Sequence, residues 1–452
     1  MRTLGCLLAL PFARADCASP SLVAFASSRA TRAETRVFEA EQAVVTRGAC
    51  VTRRGRREAW FALGDDGSAG ALRDRYCGGG GARATLAHNG TRGSAVGGVR
   101  DLAFKAVRPY AAATAAGAQR WRLYKRCAPL RRGRPPASEH LELLPATAAQ
   151  AAAAARAEWR AGPVVLASDW LSNVGHAARD VLLLSAFARE WCGAKPPAYA
   201  LLESRRPSPW AREFLAAVAA SRGAPRLAVA DGATVCVGGL VQKAAQHVGD
   251  AEDARSARDA ALAKCGVAGA AAPDGLLHVV HGPSREGDRA VAGVAGALKT
   301  VARRFGLRER AAELGNLSFC DQVGAVYASR LVVGVFGAAV GGNVLLAHDA
   351  ALTVELTACG HSRARAEPLR RNLGHSFQPL AVATAKGYLS FCLCVDDDAV
   401  DLAAKRTTTR GWFRSGGLRV NAAALERALG LALDGDLRGA SREAARDPCG
   451  VA

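Results

Sequence analysis

Three polar residues with the spacing N-x-x-H-x-x-x-D, Asn173, His176 and Asp180, lie in an otherwise apolar segment that predicts a helix. Residues three and four positions apart share one face of a helix, so these side chains are expected to line one stripe. A histidine beside an aspartate can share its proton, and either group could then serve as a general base. The alternative is a His–Asp pair that only holds the helix against its neighbours.

A strand–turn–helix segment supplies groups that could bind an anion. The apolar run Leu331–Val335 predicts a buried strand, and the small-residue turn Gly337-Ala338-Ala339 opens an apolar helical segment, Val340–Ala347. Backbone N–H groups in such a turn can approach a phosphate closely, and the start of the helix adds about half a positive charge. The same small residues could instead serve only to pack the helix closely on the strand.

Charged residues accompany two other predicted strands. Strand Leu276–Val280 is followed by a loop in which Arg285 and Arg289 could hold a diphosphate through paired hydrogen bonds. An exposed loop of mixed charge is the alternative, because arginine is abundant in this chain. Strand Leu352–Leu356 carries a carboxylate, Glu355, close to its end.

The net charge of +20, from 60 Lys and Arg against 40 Asp and Glu, is an arginine excess. Such a charge attracts nucleic acid, anionic lipid or phosphorylated ligands. The arginines are scattered, and no RNA-recognition, zinc-finger or helix-turn-helix signature accompanies them. We therefore expect no nucleic-acid partner and attribute the excess to a compositional bias toward Ala, Arg and Gly. A nucleic-acid binder is the alternative, and it predicts salt-dependent retention on DNA.

The start of the chain and its cysteines indicate the secretory pathway, either the Golgi or ER lumen or secretion from the cell. The apolar stretch Leu4–Ala13 and the A-x-A site that follows it predict a signal peptide over residues 1–15. A short N-terminal signal anchor and a cytosolic protein are the alternatives, and no further membrane span is expected.

Twelve cysteines follow Cys6 without zinc-type spacing, which predicts several disulfides and no metal site. Buried free thiols are the alternative, above all for Cys236 and Cys320.

Two N-glycosylation sequons begin at Asn89 and Asn316. The first lies in a polar, glycine-rich loop, where glycosylation is expected. The second adjoins the strand–turn–helix segment and is expected to be more buried.

Strand and helix patterns predict an α/β protein with a β-rich N-terminal region and two consecutive blocks of alternating strands and helices. The two blocks predict Rossmann-like domains that face a cleft. The division of the chain is residues 1–15 for the signal peptide, 16–145 for the β-rich region and linker, 146–270 and 271–400 for the two domains, and 401–452 for a helical tail. Among single elements we expect helices over Ala146–Ala161, Pro209–Ser221 and Ala251–Lys264, and a strand over Leu227–Ala230.

Together and in this order, over roughly residues 160–395, the motifs resemble the family 61 glycosyltransferases, which include EGF-domain O-GlcNAc transferases and plant β-1,2-xylosyltransferases. The resemblance implies a GT-B-like architecture with an acceptor-side domain first and a nucleotide-sugar-binding domain second. It also implies inverting, metal-independent transfer of GlcNAc or xylose from a UDP-sugar to a glycan or glycoprotein acceptor. No cofactor is implied beyond the UDP-sugar donor substrate.

The resemblance also gives each motif a role. Asp180, or His176 polarised by it, would deprotonate the acceptor hydroxyl. Glu355 would accept hydrogen bonds from the ribose hydroxyls. The arginines and the backbone amides of the glycine turn would bind the diphosphate. The full set of groups that would bind the substrate is Asn173, Arg285, Arg289, Gly337, Ala338, Ala339, Asn343 and Glu355.

Three positions depart from the family pattern. Phe336 stands where the family has a histidine, Ala339 replaces the last glycine of the turn, and His281 stands where an arginine is more usual. The lost histidine removes a donor to the phosphates. The alternative function is therefore a catalytically degenerate, secreted protein of the same fold that binds a glycan or a nucleotide-sugar.

Overall fold

The computed structural model describes much of the chain, and the expected signal peptide lies outside the described part. The described residues are 20–38, 43–55, 57–64, 86–89, 118–121, 144–167, 171, 173–191, 197–201, 207–243, 251–267, 272–280, 291–335, 337–358, 387–395 and 418–446.

Short strands and helices alternate along the described part of the chain. The helices are α1 (Pro20–Ser27), α2 (Ala148–Ala155), α3 (Val174–Glu190), α4 (Pro209–Ser221), α5 (Ala251–Lys264), α6 (Val294–Phe305), α7 (Phe319–Tyr327), α8 (Ala338–Asn343), α9 (Ala422–Leu433) and α10 (Leu437–Arg446). The strands are β1 (Glu34–Phe38), β2 (Ala43–Arg54), β3 (Arg57–Ala62), β4 (Leu86–Asn89), β5 (Ala118–Trp121), β6 (Leu144–Pro145), β7 (Glu158–Ala167), β8 (Ala198–Leu201), β9 (Thr234–Lys243), β10 (Gly275–Val279), β11 (Arg308–Ala312), β12 (Ser329–Val335), β13 (Leu352–Ala358), β14 (Gly387–Val395) and β15 (Leu418–Arg419). Two 3-10 turns cover Leu314–Asn316 and Val344–Leu346. The α/β fold class is confirmed.

The first sheet is mixed and joins the N-terminal strands to those of the first α/β block. Its order is β6-β3-β2-β9-β7-β8, with β1 paired to β2. Strand β2 runs antiparallel to β3 and β9, whereas β7 is parallel to both β8 and β9. The division drawn at residue 145 therefore does not coincide with a break between sheets. Strands β4 and β5 form a separate pair.

The second sheet has the strand order β11-β10-β12-β13-β14-β15. The first five strands are parallel and β15 is antiparallel. In chain order the parallel strands read 2-1-3-4-5, which is the order of a doubly wound sheet. The order reverses between β10 and β12, so the crevice outside their carboxyl ends is the position where such sheets bind ligands.

The two faces of the second sheet pack against different sets of helices. Alternate residues of the central strands, such as Leu331 and Val354, pack with α6, α9 and α10. The opposite face, with Val332, belongs to a larger core that also contains Leu182 of α3 and Val165 of β7. The two halves of the chain therefore share one continuous apolar core, and the segment from residue 418 is helical but packs on the sheet.

Two disulfides are present among the described residues. Cys50 and Cys236 lie opposite each other on β2 and β9 and are bonded. Cys265, just beyond α5, is bonded to Cys320 of α7 and so ties the first α/β block to the second. The free-thiol alternative for Cys236 and Cys320 is wrong. Two disulfides are consistent with a secreted or lumenal protein.

Two element predictions are wrong, for local reasons. The helix expected over Ala146–Ala161 is shorter in the structure, where α2 covers Ala148–Ala155. The chain from Glu158 forms strand β7 instead, because it pairs with β9. The segment Leu227–Ala230, predicted as a strand, has no regular secondary structure, and the nearest pairing is an isolated bridge between the preceding Arg226 and Tyr199. Among the described residues, no helix is long and apolar enough to cross a membrane.

Candidate functional site

The glycine turn that was predicted to bind an anion lies at the point where the strand order of the second sheet reverses. Strand β12 ends at Val335, and the Gly337 turn and α8 follow it directly. Strand β10 ends at Val279, and the predicted arginine loop is the next segment of the chain. Arg285 and Arg289 themselves lie outside the described residues, as do His281 and Phe336. The topology thus brings the carboxyl end of β10 beside the carboxyl end of β12, where the glycine turn begins.

The helix with the N-x-x-H-x-x-x-D motif packs directly on the helix of the glycine turn. A Cβ atom built on Gly342 of α8 would lie 2.5 Å from Val174 Cγ1 and 2.7 Å from the Val174 backbone carbon, at the start of α3. Real Cβ atoms do not approach a backbone so closely, so only glycine permits this contact. Two motifs that lie far apart in the sequence are therefore in contact.

We expect Gly342→Ala to lower the free energy of unfolding by about 1–3 kcal/mol, because the new methyl group must push α3 and α8 apart. The matched control is Gly324→Ala, since Gly324 lies within α7 and no atom lies within 4 Å of its added Cβ. There the higher helix propensity of alanine should raise stability by about 0.5–1 kcal/mol. Chemical denaturation of both variants measures the difference, and equal effects would show that the α3–α8 contact is not tight.

Asn343 at the end of α8 uses both ends of its side-chain amide within the protein. Its Oδ1 accepts a hydrogen bond from Nε1 of Trp210 at 3.2 Å, and its Nδ2 donates to the Ala339 carbonyl at 2.7 Å. Asn343 is 1% exposed and Trp210, in α4, is buried. In this arrangement Asn343 joins α8 to α4, so a direct contact with substrate stays a prediction. Trp210 was missed from the sequence, where it has the pattern of an ordinary core residue.

Glu355 of β13 is fully buried, with 0% exposure. Its Oε2 accepts a hydrogen bond from the Tyr388 hydroxyl on the adjacent strand β14. Burial raises the pKa of the Glu355 carboxyl to about 8, although the Tyr388 hydroxyl and the Gly337 backbone amide both act to lower that pKa. The carboxyl is therefore mostly protonated at neutral pH. The ribose role stays a prediction, and it would require the covered Glu355 carboxyl to become accessible to the ligand.

The polar stripe of α3 begins with a helix cap. Asn173 Oδ1 accepts a hydrogen bond from the Gly175 backbone N–H at 3.0 Å, at the start of α3. Asp180 is 1% exposed. The side chain of His176 lies outside the described part, so its pairing with Asp180 stays a prediction. A base at Asp180 itself would need the acceptor to reach a buried carboxylate.

The two sequons differ in what the structure describes. Asn316 is exposed on the turn before α7, where its Nδ2 donates to Glu313 Oε2 at 2.8 Å. The expectation that Asn316 is buried is therefore wrong. Asn89 ends strand β4, and its side chain lies outside the described part.

In the described ranges there is no cluster of three or more His, Cys, Asp or Glu side chains that could hold a metal ion. A cavity of about 650 Å³ between α2 and β9 is lined by Arg156, Glu158 and Arg160 among others, and it contains none of the predicted site residues.

No family model and no curated protein matches the chain by sequence.

Proposed function

We propose that this protein is an inverting, metal-independent glycosyltransferase of the secretory pathway. It would transfer GlcNAc or xylose from a UDP-sugar to a glycan or glycoprotein acceptor in the Golgi or ER lumen. One observation carries the proposal: the glycine turn lies at the carboxyl end of β12, beside β10, and the helix of the N-x-x-H-x-x-x-D motif packs on it at Gly342. The two disulfides support an oxidising compartment.

The donor would bind with its diphosphate at the reversal point of the second sheet. Cleavage of the sugar–phosphate bond adds one negative charge to the diphosphate of the departing UDP, and without a metal this charge needs fixed positive groups. Arg285 and Arg289 would supply bidentate hydrogen bonds, and the amides of Gly337–Ala339 would supply backbone donors. The GT-B-like pairing of two domains around this crevice is part of the same proposal.

The burial of Asp180 bears on the choice of base. A fully buried carboxylate cannot contact an acceptor hydroxyl without rearrangement, whereas it can orient and polarise a neighbouring imidazole. We therefore favour His176 as the group that takes the proton, with Asp180 as its partner. The acceptor oxygen would attack the anomeric carbon as its proton passes to His176, and the sugar–phosphate bond would break to release UDP.

Two variants test the chemistry. Asp180→Asn and Arg289→Ala should each lower the rate of transfer by about 10²–10⁴. Asp180→Asn weakens the base, and Arg289→Ala removes a positive group that would stabilise the departing UDP. The rate is measured as UDP released in the presence of acceptor, and the folded state by circular dichroism. Wild-type turnover in both folded variants would contradict the assignment.

The second candidate is the catalytically degenerate binder, which Phe336 and Ala339 favour because they depart from the family turn. Thermal stabilisation by UDP is expected for enzyme and binder alike. Release of UDP from the UDP-sugar in the presence of acceptor occurs only with the enzyme.

A further inference from the structure

Glu355 and Tyr388 lie on the face of the second sheet that carries α8. Glu355 pairs in register with Gly334 of β12, and paired residues of parallel strands point to the same side of the sheet. A Cβ atom on Gly334 would lie 2.6 Å from Val340 Cγ2 of α8. Helix α8 therefore sits on the sheet immediately beside Glu355, with the Gly337 amide near enough to act on its carboxyl.

A fully buried carboxyl at this place needs an explanation. Its neighbours along the strand, Val354 and Leu356, are apolar and face the other side. Burying a carboxyl with incomplete partners costs free energy, and a leucine of similar volume would avoid that cost. The Tyr388 hydroxyl, itself buried, is its bonded side-chain partner. The pair thus joins β13 to β14 on the face that carries α8, and the second carboxyl oxygen, Glu355 Oε1, has no hydrogen-bond partner among the described residues.

We infer that Glu355 is a positioning residue that, together with Tyr388, supports the sheet surface under α8 and so holds the Gly337 turn in the conformation that receives the donor diphosphate. This inference rests on the proposed function for the identity of the ligand, but the positioning of the turn is a property of the ligand-free protein. It assigns Glu355 a role distinct from contact with ribose. A carboxyl that accepts hydrogen bonds from ribose must be exposed to the ligand and accepts most strongly when it is charged, whereas a positioning carboxyl can be covered and needs no charge.

The neutral isostere Glu355→Gln separates the two roles, because it keeps the oxygen acceptor for Tyr388 and removes the charge. Glu355→Ala and Tyr388→Phe remove the link from either side. Thr353→Val is the matched control: Thr353 lies on the same strand and face, is 2% exposed, and its hydroxyl has no hydrogen-bond partner among the described residues.

The experiment compares these variants by two measurements. Hydrogen–deuterium exchange of residues 337–343 is followed in the ligand-free protein, and UDP affinity is measured by calorimetry. Loss of one buried hydrogen bond corresponds to a change of roughly tenfold in the exchange rate or in the UDP dissociation constant. We expect Glu355→Ala and Tyr388→Phe to speed exchange and weaken UDP binding about tenfold. Glu355→Gln and Thr353→Val should stay within about threefold of wild type in both measurements.

Each outcome has a defined meaning. Wild-type exchange in Glu355→Ala and Tyr388→Phe overturns the inference whether or not UDP binds. A loss of UDP affinity in Glu355→Gln as large as in Glu355→Ala also overturns it, because the charge then matters. If the exchange responds as expected but wild-type protein does not bind UDP, the positioning of the turn stands and the proposed function fails. If Glu355→Ala does not fold, Tyr388→Phe and Glu355→Gln decide in the same way.

Discussion

Trp210→Ala is expected to lower the free energy of unfolding by about 3–5 kcal/mol, the range for truncation of a large buried aromatic side chain. The indole is 3% exposed and packs edge-on against Phe214, with ring centroids 5.0 Å apart, and against Phe319 at 6.3 Å. Phe319 belongs to α7, so the ring joins the two α/β blocks. The truncation also leaves Asn343 without its indole donor. Urea denaturation measures the loss.

A double-mutant cycle isolates the hydrogen bond from the packing of the ring. Trp210→Phe keeps an aromatic ring but removes the N–H, and we expect it to cost about 1–3 kcal/mol because a buried acceptor loses its donor. On an Asn343→Ala background the same change should cost less, since the acceptor is already absent. Equal costs on the two backgrounds would contradict the proposed link between α4 and α8.

Removal of the Cys265–Cys320 disulfide should lower stability by about 4 kcal/mol, because the bond closes a long loop in the unfolded chain. The two residues are 55 positions apart in the sequence. The disulfide lies at the junction between the two α/β blocks. Arg258 of α5 also pairs with Asp349 there, at 2.7 Å, and lies over the Tyr327 ring. Denaturation of Cys265→Ala/Cys320→Ala under oxidising conditions measures it.

A reducing buffer supplies the control for this prediction. Reduction breaks both described disulfides in the wild type, and only Cys50–Cys236 remains to be broken in the variant. The difference between the two proteins should therefore vanish under reduction. A variant that is as stable as wild type in oxidising buffer would show that the bond does not constrain the unfolded chain.

Elements with their own start and stop signals were predictable from the sequence. Helix α4 has the predicted bounds because Ser208 caps it, through its Oγ and the Ala211 N–H, and Pro209 fits the first turn. Strands β12 and β13 were predictable because continuous apolar runs indicate strands that are buried on both faces. The segment 227–230 has a similar apolar pattern but almost no strand partner, which local sequence does not reveal.

The candidate site was predictable only as a set of motifs. Gly337 and Asn343 lie on the turn and helix that follow β12, as their order in the sequence indicated, whereas Glu355 lies within β13, which continues to Ala358. Their contacts depend on distant residues: Tyr388 follows Glu355 by 33 positions, and Trp210 precedes Asn343 by 133. The burial of Asp180 and Glu355 likewise follows from the packing of helices that no local pattern specifies.

Hydrogen–deuterium exchange with and without UDP tests most directly whether a nucleotide binds at the reversal point of the second sheet. The account predicts that UDP slows exchange in two segments, residues 276–290 after the start of β10 and residues 337–343 after β12. Strands β2 and β3 of the first sheet should exchange as before. An unchanged pattern at saturating UDP, or protection confined to other parts of the chain, would contradict the account.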